Sequence, residues 1–500
     1  MNTAFKILVT APLATLLLAA PAPAEAPPAS APPVTANPVV PLPALDVTPG
    51  KVVDSVACTG SAGESYALYL PAGYTTDRAW PILYVMDPRS RGALAAERFR
   101  PGAEAFGYIL ASSNSSMSDG PMEPNLNAMR AMWADTHARF RIDDRRIYGA
   151  GFSGTVRSNV VLARSAPGSF AGIVGAGAGW PFDQPPGKGD RFVFYGTVGD
   201  KDFNYYEMMD LEPKLAAAGL TYRLEVFDGV HQWPPAEIAS RALAWLDLQA
   251  MKTGTIPKDA SRIDAAWNET VGRARAFEKA GDLFQASRTW AGAATDFIDL
   301  RDTAEAQKKA AELAANPALQ RELKDRARRL NHDKETLAQA PGILAAVNPS
   351  GEPRTVAQVV ALLKIHELRR TAESAPTSDE RLSAQRILNT LQVQTGYYLP
   401  QMYAGRKQYD REVFVLSIAT EIDPKSPSPF YDRAAAYAKK GDRKKALADL
   451  RQAADNGWKD RTVFDKDADF DGVRQDPEFK QLVQSLGGTA AAAAAPGGKP

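Results

Sequence analysis

A chain of 500 residues with one cysteine, Cys58, cannot close an internal disulfide, so its fold must be held by a hydrophobic core alone. Charge of one sign is also lacking. Lysine plus arginine (59) and aspartate plus glutamate (58) nearly cancel to a formal net charge of +1, which indicates neither nucleic acid nor an anionic membrane surface as partner. The longest apolar run, Ile7 to Ala20, is broken by Thr10, Pro12 and Thr15 and falls short of the ~20 residues that span a bilayer. With only four histidines, few side chains are able to carry a proton near neutral pH.

What is present at the start is a single positive charge, Lys6, then the apolar run, then Ala22-Pro23-Ala24, an A-x-A cleavage pattern. Residues 1–24 read as a secretory signal, so the protein is expected to be exported, periplasmic or secreted, with no membrane anchor left after cleavage. No cysteine follows the run, which argues against a lipid anchor. Residues 25–50, rich in Pro, Ala and Val and almost uncharged, read as an extended linker. Cys58 reads as a small buried hydrophobe rather than a nucleophile.

The chain is organised around the stretch Arg146-Ile-Tyr-Gly-Ala-Gly-Phe-Ser-Gly-Thr-Val-Arg157. A short apolar run, Ile147 to Ala150, breaks into Gly151-Phe152-Ser153-Gly154-Thr155 and continues as helix. A serine at such a turn has its hydroxyl pushed out of the sheet edge, with helix N-terminal amides behind it for an oxyanion. The pattern G-x-S-x-G is met at Gly151 and Ser153. Thr155 stands where the last glycine belongs, and a β-branched residue there is expected to crowd the elbow and lower activity. Downstream, the strand-like Phe192 to Tyr195 leads into Gly196-Thr-Val-Gly-Asp-Lys-Asp202, and Tyr222 to Phe227 leads into Asp228-Gly-Val-His231. Nucleophile, acid and base thus come in the order Ser, Asp, His.

These residues resemble the α/β-hydrolase superfamily, and within it the esterases related to feruloyl esterases and polyhydroxybutyrate depolymerases, which carry Gly-Phe-Ser-Gly at the elbow. The resemblance covers roughly Asp54 to Ala250. It implies a mostly parallel sheet with helices on both faces over residues 51–252, and an ester hydrolase of the carboxylesterase type working through an acyl-enzyme, with no cofactor and no metal. Ser153 would attack, His231 would shuttle the proton, and the amides of Gly154 and Arg89 would hold the oxyanion. The Arg89 assignment comes from setting Asp87-Pro88-Arg89 where the family commonly has His-Gly-x; Pro88 has no N–H, so the donor is Asp87 or Arg89. The alternative is that Asp87 and Arg89 only tie down a loop. The acid is Asp202 if G-x-x-D is counted from Gly199, or Asp200 if the turn starts at Gly196. The substrate is expected to be a small-molecule or polymer-linked ester; a peptidase would use the same residues.

Other strands are expected at Ser65 to Tyr74, as an early edge strand, at Trp80 to Met86, a continuous apolar run suited to a buried sheet, and at Gly107 to Ser112. Ser113 to Glu123 is a polar loop expected to wall the substrate cleft. Asn125 to Phe140 is an amphipathic helix, and its His137 reads as structural or surface.

From Lys258 the composition turns to Ala, Arg, Glu, Lys and Leu at helical spacing, an all-α region. Ala434, Tyr437, Gly441, Ala446, Leu450 and Ala453 match the small and large positions of a tetratricopeptide repeat, as do Ala274, Phe277, Gly281, Ala286, Trp290 and Ala293. A partial unit ends at Ala419 and Pro424, with Glu412 in place of the usual small residue. Residues 258–395 are therefore a helical region with one repeat-like unit, and 396–485 tetratricopeptide-like repeats with a capping helix. These repeats either offer a concave surface to a partner protein or peptide, or only pack on the hydrolase. The second function class is accordingly a binding protein whose hydrolase domain has lost turnover. Asp467, Asp469, Asp471 and Glu478 fit the calcium-loop formula, but Arg474 and Pro477 do not, and Phe470, Val473, Phe479 and Leu482 space as the apolar face of a capping helix. Residues 486–500 read as a disordered tail.

Overall fold

The computed structural model describes residue 45 and residues 47–345, 352–461 and 466–486. Residues 1–24, expected to be a signal sequence, most of the expected linker 25–50 and all but the first residue of the expected tail 486–500 lie outside the described residues. Eight strands form one sheet: β1 (Val52–Ala57), β2 (Ser65–Tyr69), β3 (Trp80–Met86), β4 (Ile109–Ser113), β5 (Ile142–Phe152), β6 (Gly172–Ala176), β7 (Val193–Gly199) and β8 (Tyr222–Phe227). Their order across the sheet is β1-β2-β4-β3-β5-β6-β7-β8. The pairs β1–β2 and β2–β4 are antiparallel and all others parallel.

Parallel neighbours require crossovers, and these are helices α1 (Gly92–Phe106), α2 (Glu123–Arg139), α3 (Gly154–Ser165), α4 (Tyr205–Ala218) and α5 (Ala236–Lys252). They cover both faces, which is why strand residues are apolar on both sides. In β3, Ile82, Tyr84 and Met86 pack with α2, α3 and α4, while Leu83 and Val85 pack with α1 and α5. This is the mostly parallel, doubly covered sheet of an α/β-hydrolase fold. Ser65–Tyr69 is not an edge strand as expected: β1 lies outside it, and β2 is almost wholly buried. Cys58 is buried in the α2 side of the core, where burial pushes its thiol up to about 12 and keeps it un-ionised.

The rest is helical: α6 (Ala260–Ala280), α7 (Leu283–Asp296), α8 (Ala304–Ala314), α9 (Pro317–Leu344), α10 (Val356–Leu362), α11 (Ile365–Ser374), α12 (Ser378–Val393), a π-helical turn (Gln394–Tyr398), α13 (Leu399–Gly405), α14 (Tyr409–Ile422), α15 (Ser428–Lys440) and α16 (Arg443–Asp455). Two pairs, α6–α7 and α15–α16, are helix hairpins turned at Gly281 and Gly441, each in the left-handed region that glycine enters without cost. Fully buried alanines, Ala274 with Ala286 and Ala434 with Ala446, let the paired helices approach. Glu412 is buried too, and its charge is met by Lys439 at 2.9 Å.

The helices lie against the sheet domain rather than apart from it. Leu330 and Leu337 of α9 pack into the same core as the sheet. Charge pairs continue the contact: Arg288 with Glu212 at 2.8 Å, Arg273 with Glu225 at 2.8 Å, and Arg223 with Asp296.

The four carboxylates that fit the calcium-loop formula do not converge in the described residues. Asp467 accepts from Tyr431 Oη at 2.8 Å and caps the following turn, Asp469 faces Lys439, Asp471 pairs with Arg474, and Glu478 pairs with Arg451. Spacing alone satisfied the formula, whereas ligands must also converge, and these side chains diverge to separate partners. Phe470, Val473 and Phe479 are buried beneath α15 and α16, with Leu482 packed alongside.

Candidate active site

At the end of β5 the chain reverses through Ser153, whose φ of 56° and ψ of −133° put a non-glycine residue in a strained region. The turn exists because its neighbours have no side chains to obstruct it. A Cβ on Gly151 would fall 2.7 Å from Val156 N, and one on Gly154 would fall 2.6 Å from Ser118 Cβ. Ser153 N–H donates to Ala176 O on β6 at 2.8 Å, and Gly154 opens α3, where a backbone amide has no partner within its own helix.

Thr155 does not crowd this turn; it fastens it. Its fully buried hydroxyl lies 2.7 Å from Met86 O and 2.8 Å from Phe152 O, and accepts Phe152 N–H at 3.0 Å. The β-branched residue therefore links the ends of β3 and β5 under the serine. A glycine there would supply none of these bonds.

Asp202, completely buried after β7, and His231, in the loop after β8, are brought together: His231 Nδ1 lies 2.8 and 2.9 Å from the two carboxylate oxygens. A carboxylate only accepts, so Nδ1 carries the proton and Nε2 is left as the basic nitrogen. The imidazole is also held by rings, Phe203 at 4.1 Å and Phe152 at 4.5 Å between centroids. Gly177, at φ 63°, makes room for the pair, since a Cβ there would come within 3.0 Å of both Asp202 Oδ2 and His231 Cε1. Asp200 faces elsewhere, accepting Gly229 N–H at 3.0 Å and pairing with Lys201 at 3.1 Å. Phe152 precedes Ser153 and Gly177 follows Ala176, so serine, acid and base meet at one corner above the strand ends. No hydrogen bond joins Ser153 Oγ to His231 in this structure.

The Arg89 amide is not available to an oxyanion. It donates to Asp87 Oδ1 at 2.9 Å, and the Ser90 amide donates to Ser116 O at 3.0 Å. The reason is the buried charge of Asp87, which gathers every donor near it: a bidentate Arg91 at 2.9 and 3.0 Å, the Arg89 amide, and Trp233 Nε1 at 2.8 Å. Asp87 thereby ties the loop after β3 to the loop that carries His231. Sequence reading left open that Asp87 and Arg89 serve to tie down the loop, and the bonds made are of that kind. The link to Trp233, 146 positions away, had no local signal.

Two further residues border the corner. Arg157, one helical turn after Ser153, pairs with Glu207 at 2.6 Å and lies under the ring of Phe182, 4.3 Å from its centroid. Burial raises the Glu207 carboxyl above its usual range, against the pull of Arg157. His137 stacks on Trp133 at 4.7 Å and bonds its backbone oxygen at 2.8 Å, a structural role. His332 and His366 lie on α9 and α11.

No family model matches the chain, and no curated protein matches it. Solved structures similar to it include an S-formylglutathione hydrolase from Staphylococcus aureus, 15% identical, covering 39% of this chain and 96% of that one, with a TM-score of 0.33. A ferulic acid esterase is 15% identical over 39% of this chain and 94% of its own, TM-score 0.32. An isopeptidase is 16% identical over 40% of each chain, TM-score 0.32. The fold assignment stands on the strand order and the helical crossovers.

Proposed function

We propose that the protein is an exported serine hydrolase acting on carboxylic esters. Ser153 Oγ attacks the ester carbonyl as His231 Nε2 takes its proton, and Asp202 holds the imidazole in the required tautomer and stabilises the imidazolium. The Gly154 amide, at the positive end of α3, faces the developing oxyanion. The proton then passes from His231 to the departing alcohol, and water repeats the sequence to free the acid. The observation that carries this reading is the strained backbone of Ser153 beside a paired Asp202 and His231. A strained residue persists only where its surroundings over-determine it.

Hydrolysis of short-chain aryl esters by the protein lacking residues 1–24, beside Ser153→Ala, tests the reading. Turnover that falls by about four orders of magnitude or more in the variant supports it. Equal rates in the two proteins would sink it. A second reading, a binding protein in which tetratricopeptide-like helices recognise a partner and turnover is lost, is favoured by the missing Ser153–His231 bond and the occupied Arg89 amide. Absence of turnover together with retained fold in the wild type would support it.

A further inference from the structure

Helix α12 and the π-helical turn that continues it touch both sides of the catalytic corner. Near its middle, Asn389 Nδ2 donates to Lys201 O at 2.7 Å and Arg386 donates to Asp200 O at 3.2 Å, so the helix grips the loop that carries Asp202. Arg386 also lies over the Tyr205 ring, 4.6 Å from its centroid. At its far end, Tyr397 Oη bonds Asp119 Oδ2 at 3.3 Å. Asp119 follows Ser118, the residue that abuts Gly154, so this contact sits on the oxyanion side. From residue 386 to residue 397 a helix advances roughly 16 Å, enough to cross a cleft of this kind.

Tyr398 stands next to that latch, 5.1 Å from the Tyr397 ring and 39% exposed. Asp119, Arg157 and Glu207 all act on its hydroxyl electrostatically, and burial is the largest influence raising it. The geometry that places Tyr398 near the corner is its neighbour Tyr397, which bonds Asp119 in the loop that abuts Gly154. Other exposed apolar side chains follow or precede residues of the corner or of this turn: Phe182 (82% exposed) lies over Arg157, Met117 precedes Ser118, Val230 precedes His231, and Met402 is one helical turn past Tyr398. A π-helical turn inside a longer helix is itself often found at a functional site.

We infer that the helical half supplies one wall of the substrate cleft, with Tyr398 as a specificity-determining residue for esters whose acyl or alcohol part is apolar and longer than the catalytic corner can cover. This rests on the ester-hydrolase reading. It assigns the helical region a place in catalysis rather than a separate binding duty, because the helix that holds the acid loop also presents the ring that meets the substrate.

The test compares kcat/KM for aryl acetate and aryl octanoate in the full chain, for the wild type, Tyr398→Ala and Tyr398→Phe. Removing a ring that contributes roughly 60 Å² of apolar contact lowers the octanoate-to-acetate ratio about tenfold, mainly through KM, and Phe restores it. A ratio within about twofold of wild type in Tyr398→Ala overturns the inference while leaving the hydrolase reading intact. Labelling of the wild type by a serine-directed fluorophosphonate separates the two failures: without labelling or turnover, both readings fall together. Because Tyr398 is partly exposed and Phe keeps the ring, loss of fold cannot imitate the expected result; a Phe variant as impaired as Ala would also count against it.

Discussion

Ser153 is held in a conformation that costs a non-glycine residue about 1–3 kcal/mol, and the Thr155 hydroxyl is among the groups that hold it there. Thr155→Val keeps the shape but leaves Phe152 N–H and Met86 O without that partner in a dry interior. Denaturant titration should show a loss of about 1–3 kcal/mol. Glu207 offers a pH test. Its carboxyl is raised in the fold, so the folded state binds a proton more readily than the unfolded chain does. The resulting stability is fully present below the unfolded value of about 4.3 and is lost as pH rises through the folded value. Melting temperatures followed upward from about pH 4 should therefore fall for wild type relative to Glu207→Gln. A constant difference between the two would show that Glu207 is not shifted.

Among the elements, the candidate site was legible where its signals are local. The run from Ile147 into Gly-Phe-Ser-Gly announces a strand, a tight turn and a helix, and Asp202 and His231 each follow an apolar strand. Asp202 and Asp200 both follow β7, and only direction distinguishes them: Asp202 points at the imidazole and Asp200 at the Gly229 amide. Strand β6 carried no clear signal, because Gly172-Ile-Val-Gly-Ala176 is short and glycine-rich. Those glycines are required by packing: a Cβ on Gly175 would lie 2.6 Å from Phe194 and one on Gly172 2.8 Å from Leu246. The outer position of β1 was equally hidden, since strand order is a tertiary property. Helix α12 falls where no repeat can be phased, and its role is visible only through Asn389 and Arg386. Asn389→Ala removes one hydrogen bond from the acid loop, and if that bond positions Asp202, kcat should fall about fivefold to tenfold with KM little changed. An unchanged kcat would show that the loop needs no support from α12.

Over the whole molecule, the sheet domain and the helical half share buried polar groups as well as apolar surface. Asp333 on α9 is fully buried and holds Tyr206 Oη of α4 at 3.1 Å, Ser383 Oγ of α12 at 2.5 Å and Arg386 Nη2 at 3.7 Å. Removing it leaves the almost buried Arg386 guanidinium without its carboxylate and Tyr206 Oη and Ser383 Oγ without a buried acceptor, so Asp333→Ala should cost about 3–5 kcal/mol. Aromatic near-UV signals, concentrated in the sheet region, and far-UV helix signals should lose their structure in one coincident transition. Two separated transitions would contradict a shared interior. Composition did report that the second half is helical, but not that its helices lie on the sheet domain, because amphipathic faces do not name what they cover.

Covalent capture tests most directly whether Ser153 is an activated nucleophile. The full chain is treated with a fluorophosphonate and the modified peptide located by mass spectrometry, beside Ser153→Ala and His231→Ala. A single adduct on Ser153 in the wild type, absent from Ser153→Ala and slowed by orders of magnitude in His231→Ala, is the predicted result. An unmodified wild type, or an adduct that survives in Ser153→Ala, would contradict it.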